Sequence, residues 1–88
     1  MQVISKITYT TEVTIYSDMG ESSRSINDYF DLNGWERIRV SVGGRQYYKN
    51  QNYSYKATYV KTFTDKNVME KEVKEINILF GDRKGGVE

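Results

Sequence analysis

Trp35, Arg37, Arg39, Tyr48 and Lys56 are the residues of this chain whose types and spacing suit a recognition site. Indole and phenol rings interleaved with guanidinium and ammonium groups can stack on bases and pair with phosphates. The same residue types anchor protein interfaces. Catalytic chemistry has far less to draw on. The chain has no His and no Cys, which removes the commonest general base, the thiolate nucleophile, thiolate metal sites and disulfides. A Ser-His-Asp triad is impossible, and a metal site would have to be all-oxygen. Within residues 25–33 Asp28 and Asp31 form the one close carboxylate pair, and a helix-capping role accounts for Asp28. No phosphate-cradling glycine pattern and no nucleophile elbow occurs. A non-catalytic protein without cofactor or metal is therefore expected.

Those five residues need a scaffold. Eighty-eight residues make one domain with a modest core. Hydrophobic content is 38%, and the 14% aromatic fraction compensates by burying large areas per residue. A Tyr-rich core follows, completed where needed by a partner or a second copy. Charge is uneven. Residues 1–34 hold Lys6 and Arg24 against Glu12, Asp18, Glu21, Asp28 and Asp31, a net −3. Residues 35–66 hold Arg37, Arg39, Arg45, Lys49, Lys56, Lys61 and Lys66 against Glu36 and Asp65, a net +5. The acidic first third is too thinly charged to mimic nucleic acid.

Residues 3–16 alternate, with Val3, Ile7, Tyr9, Val13 and Ile15 on one face and Ile4 and Tyr16 as exceptions, so a long strand is expected. Residues 17–23 read as a polar loop. Ser25 to Asn33 reads as a short helix, capped by Ser25 with Asp28 in the capping-box position and stopped by Asn33-Gly34. Ile26, Tyr29 and Phe30 share its apolar face.

Trp35 to Val42 reads as the next strand. Gly43-Gly44 fits a two-residue hairpin turn, because glycines supply the positive φ that a type I′ turn needs at both positions. That register sets Val42 against Arg45, Val40 against Tyr47 and Arg39 against Tyr48. Ile38, Val40, Val42 and Tyr47 then form the core side. Trp35, Arg37, Arg39 and Tyr48 form the other, with Lys56 beside them. Residues 49–52 are turn-like, so 45–63 is one bent strand or two joined there. Tyr53, Tyr55, Ala57, Tyr59 and Phe63 share an apolar face with Tyr47, interrupted by Lys61, which can snorkel.

Asn67 and Glu70 make a capping-box variant ahead of a helix from Val68 to Phe80, with Met69, Val73, Ile76, Leu79 and Phe80 at helical spacing. A strand over 72–80 is the rival. The domain is expected over residues 1–82, with a flexible tail at 83–88. The fold class is α+β, a small antiparallel sheet of three to four strands with one short and one longer C-terminal helix.

No signal-peptide pattern and no run of about 18 apolar residues is present, which predicts a cytoplasmic protein with no membrane contact. The sequon Asn52-Tyr53-Ser54 then has no role. In overall character the chain is similar to many phage and mobile-element accessory proteins that inhibit a host defence or replication enzyme. That similarity implies a larger protein as partner. Single-stranded nucleic acid, bound by the same basic-aromatic face, is the alternative, although the sheet lacks an RNP-like pattern.

Overall fold

A computed structural model describes residues 1–18, 20–49, 51–81 and 86–87, with only the backbone of residues 21, 46, 47, 86 and 87. The elements run β1 (Tyr9–Ser17), α1 (Glu21–Leu32), β2 (Glu36–Tyr48), β3 (Gln51–Phe63), α2 (Lys66–Phe80) and β4 (Gly86–Val87). The strands form one antiparallel sheet in the order β2-β3-β1-β4. The architecture is α+β, with three long strands and the longer helix towards the C-terminus, as the periodicities predict. No described helix is long and apolar enough to cross a membrane.

β3 is the central strand. Tyr55, Ala57, Tyr59 and Phe63 are buried on one face, the period-two face read from the sequence, whereas Tyr53 is buried outside that cluster, beside Tyr16. Val13 and Ile15 of β1 lie on the same side as Tyr59 and Ala57. Ile26 and Phe30 of α1 and Ile76 and Phe80 of α2 close the core over that face. Phe30 stacks on Tyr59 with ring centroids 4.1 Å apart. Both helices sit on this one face.

Four local expectations are corrected. β1 starts at Tyr9 rather than Val3, because Tyr9 pairs with Phe63, the last residue of β3. Residues before Tyr9 have no neighbouring strand to pair with among the described residues, and all are exposed.

α1 starts at Glu21, so Ser25 and Asp28 do not cap it. Gly20 holds the N-cap position without a side-chain cap. The Ser23 hydroxyl instead donates to the Gly20 carbonyl at 2.9 Å, which lets the serine-rich stretch enter the helix. The C-terminal stop holds, with Asn33 at the C-cap and Gly34 at φ +80°.

Gly43 and Gly44 take positive φ, +77° and +63°, yet the chain does not turn there. β2 runs on to Tyr48, and residues 43–45 bulge between the Val42–Tyr55 and Gln46–Tyr53 pairs. The hairpin lies between Tyr48 and Gln51, with Lys49 at φ +46°. A turn at the glycines would pair only a few residues on each side. The later turn pairs β2 with β3 from Gln51 to Val60 and satisfies far more backbone groups. The expected partners of Val42, Val40 and Arg39 are therefore Tyr55, Ala57 and Thr58 instead.

α2 is a helix throughout residues 66–80, so the rival strand is not formed. Its cap is Asp65 rather than Asn67: the carboxylate accepts from the backbone N–H of Asn67 at 2.8 Å and of Val68 at 3.3 Å. Asp65→Ala is expected to lower unfolding free energy by about 1 kcal/mol, the usual loss for an N-cap, measurable by urea denaturation. An unchanged midpoint would mean that the cap carries no stability. Of the residues expected as tail, Gly86 and Val87 pair with Tyr16 and Ile15, and 83–85 and 88 lie outside the described residues.

Candidate interaction surface

The five residues singled out in the sequence do not form one face. Trp35 is 5% exposed. Its ring sits edge-on to Phe30 at 5.4 Å and to Phe63 at 6.0 Å. Its backbone N–H donates to the Phe30 carbonyl at 2.9 Å, so the end of α1 delivers it into the core. Its indole Nε1 has no hydrogen-bond partner among the described residues.

Arg37 and Arg39 lie on opposite sides of the sheet. Arg37 pairs with Tyr59 and Arg39 with Thr58, leaving Ile38 as an extra residue. This bulge breaks the alternation that would put both arginines on one face. Arg37 donates to Asn27 Oδ1 of α1 at 3.4 Å. Tyr59 donates to the same oxygen at 3.3 Å. Arg39 makes an ion pair with Glu12 of β1 on the helix-free face.

Tyr48 and Lys56 do come together, around a residue the sequence reading set aside as an exception. Tyr16 is buried, with its ring 4.7 Å from Tyr48 and 6.0 Å from Tyr53. Lys56 Nζ lies 5.2 Å from the Tyr16 centroid, and Lys49 Nζ lies 5.3 Å from that of Tyr48. Tyr16 breaks the β1 alternation because this end of the helix-free face is itself covered by tyrosines. Further along that face, Thr14 and Thr58 are buried and share a hydrogen bond of 2.9 Å between their hydroxyls.

The expected core side of β2 is exposed. Ile38, Val40 and Val42 are 41%, 44% and 56% exposed; the side chain of Tyr47 lies outside the described residues. Val40 and Val42 pair with Ala57 and Tyr55, both buried. The apolar strip is therefore continuous with the core but not roofed by either helix. β2 is also an edge of the sheet, so its outer backbone groups face outward along its length. Apolar alternation identified these side chains, but not whether a helix would reach them.

The hydroxyls of Tyr59 and Tyr29 ionise above the ordinary 10.0. Burial is the main cause at Tyr59, with hydrogen bonding to Tyr55 adding to it and Arg37 opposing it. At Tyr29 burial leads again, followed by the carboxylates of Glu75 and Glu72. Both are packing effects inside the core or at its margin. Among the described residues no three His, Cys, Asp or Glu side chains are grouped to hold a metal ion.

The fold and this edge describe a small α+β protein with an uncovered strand. Compared with protein-family models, curated proteins and solved structures, the chain has no significant match in any of the three.

Proposed function

We propose that the protein is a non-catalytic binding module that takes an extended segment of a larger protein along the edge of β2. The single observation behind this is the half-exposed strip Ile38, Val40 and Val42 on a strand at the edge of the sheet. A strand added there gains backbone hydrogen bonds and covers apolar side chains in alternation. An inhibitor of a host defence protein, of the type carried by phages and mobile elements, would use such a surface to block its target without chemistry.

Single-stranded nucleic acid is favoured less. Stacking needs a bare ring face. Trp35 is in the core, Tyr16 is buried beneath Lys56, and Tyr48 lies against Tyr16 with Lys49 over it.

The test is capture of proteins from nuclease-treated host lysate by the native chain and by the Val40→Lys, Val42→Lys double variant. Lysines on an edge are the natural guard against strand addition. A specific partner is expected, retained after nuclease and reduced at least about tenfold by the variant, equivalent to about 1.4 kcal/mol. Equal capture by both chains would refute docking at β2. If instead a labelled single-stranded oligonucleotide binds with a steep inverse dependence on salt, the nucleic-acid function replaces this one.

A further inference from the structure

Residues 1–8 precede β1 and are exposed throughout. Val3 and Ile7 are 86% and 76% exposed, yet they continue the apolar alternation of Tyr9, Thr11, Val13 and Ile15 on the helix-covered face. Among the described residues, no strand pairs with the outer edge of β1 over residues 9–14. β3 pairs with all of β1 on one side, whereas β4 reaches only Ile15 and Tyr16 on the other. Beside the free part, β1 and α2 enclose a groove of about 510 Å³. Thr11, Met69, Glu70, Val73, Lys74 and Asn77 line it. The chain thus has an unpacked segment with strand pattern and an unfilled strand position. Residues 1–8 cannot fill that position themselves, because they lead directly into β1.

We infer that two copies of the chain pair through residues 1–13 as antiparallel strands, with a twofold axis at Ile7. The register follows from three constraints and from taking the longest pairing that meets them. Antiparallel pairing requires both members of a pair to point their backbone groups towards each other or both away. For identical strands this demands that the two paired numbers have an even sum, so the axis passes through a residue. An axis at Lys6 sets lysine against lysine, which is unfavourable. An axis at Thr8 or beyond runs the second copy into the edge that β4 occupies at Ile15 and Tyr16. An axis at Ile7 avoids both. Met1 of the second copy then stands opposite Val13, outside the two β1 residues that β4 pairs.

This register places Val3 of the second copy opposite Thr11, where its side chain enters the groove beside Met69 and Val73. Lys6 faces Thr8 and Glu12 faces Gln2, so no like charges are opposed. Each copy gives and receives the same strand, the self-complementary arrangement of a twofold dimer. The free edge of β1 is closed, while that of β2 stays available.

The test measures mass by sedimentation equilibrium and register by cross-linking in the otherwise cysteine-free chain. The native protein is expected to show twice the chain mass of 10.3 kDa as concentration rises. Ile7→Lys, a change at an exposed residue outside the core, is expected to raise the dimer dissociation constant at least about tenfold, with unchanged circular dichroism. Oxidised Ile7→Cys is expected to run as a covalent dimer on non-reducing gels. Thr8→Cys is expected to cross-link far less, because its counterpart lies two residues away and beyond disulfide reach. A monomer at every concentration, a dimer indifferent to Ile7→Lys, or cross-linking at Thr8→Cys equal to that at Ile7→Cys would each overturn the inference.

Discussion

Phe30→Ala is expected to lower the free energy of unfolding by about 3–5 kcal/mol. Phe30 has no exposed surface. Its ring lies nearly parallel to that of Tyr59, 6° between planes, and contacts Trp35 edge-on. It also sits 6.0 Å from Phe80 of α2. One side chain thus joins both helices to the central strand. Truncation removes its burial and leaves a cavity between rigid rings that cannot collapse to fill it. A domain of this size has roughly 4–13 kcal/mol of stability in all, at about 0.05–0.15 kcal/mol per residue. The variant should therefore show a large drop in urea midpoint, followed by far-ultraviolet circular dichroism. Fluorescence of Trp35, the single tryptophan, should report loss of packing at the same denaturant concentration. A loss below about 1 kcal/mol would mean that Phe30 is not the junction of the core.

Lys61→Ala is expected to cost about 2–3 kcal/mol. Lys61 interrupts the apolar face of β3, and it works as a tie rather than by snorkelling to water. Its Nζ donates to the carbonyl of Asn33, just past α1, at 2.6 Å. It also donates to Glu72 Oε1 of α2 at 3.0 Å and lies 2.9 Å from Oε2. Only Oε1 has hydrogen-bond geometry; Oε2 is close in charge alone. The ammonium further lies 4.9 Å from the Phe63 centroid. Exposed ion pairs contribute about 0–1 kcal/mol, whereas breaking a buried pair costs about 3–5. Side-chain exposures of 24% and 17% put this pair between the two. Truncation would also leave Glu72 without its cation in a partly closed site. Adding Glu72→Ala to Lys61→Ala should then cost less than the separate losses combined, by about 1 kcal/mol in a double-mutant cycle. Strict additivity would show that the pair is not formed.

Much of this scaffold is legible in the residue pattern. Tyr55, Ala57, Tyr59 and Phe63 keep a two-residue spacing broken only by Lys61, and all four lie in the core, because a two-residue period admits one covered face. Ile26 with Phe30, and Met69 with Val73, Ile76 and Phe80, mark the inner faces of two helices through their 3.6-residue spacing. Asn33-Gly34 marks the end of α1, where Gly34 does take positive φ. The absence of His and Cys needs no structure to limit the chemistry.

The recognition surface is not legible in the same way. Gly43-Gly44 carries a strong turn signal, and both residues adopt the positive φ it calls for. Whether that geometry becomes a turn or a bulge depends on how many backbone pairs each alternative leaves unmade, a sum taken over all of β2 and β3. The single extra residue at Ile38 then sends Arg37 towards α1 and Arg39 to the opposite face. Trp35 appears available in the sequence and is consumed by packing against Phe30 and Phe63. In place of a basic-aromatic face, the fold leaves Ile38, Val40 and Val42 uncovered at one edge of the sheet and the Thr11 groove open at the other. Residue type and period therefore establish which side chains seek burial here. Strand register and the reach of two helices decide which of them obtain it, because both depend on contacts between residues far apart in the chain.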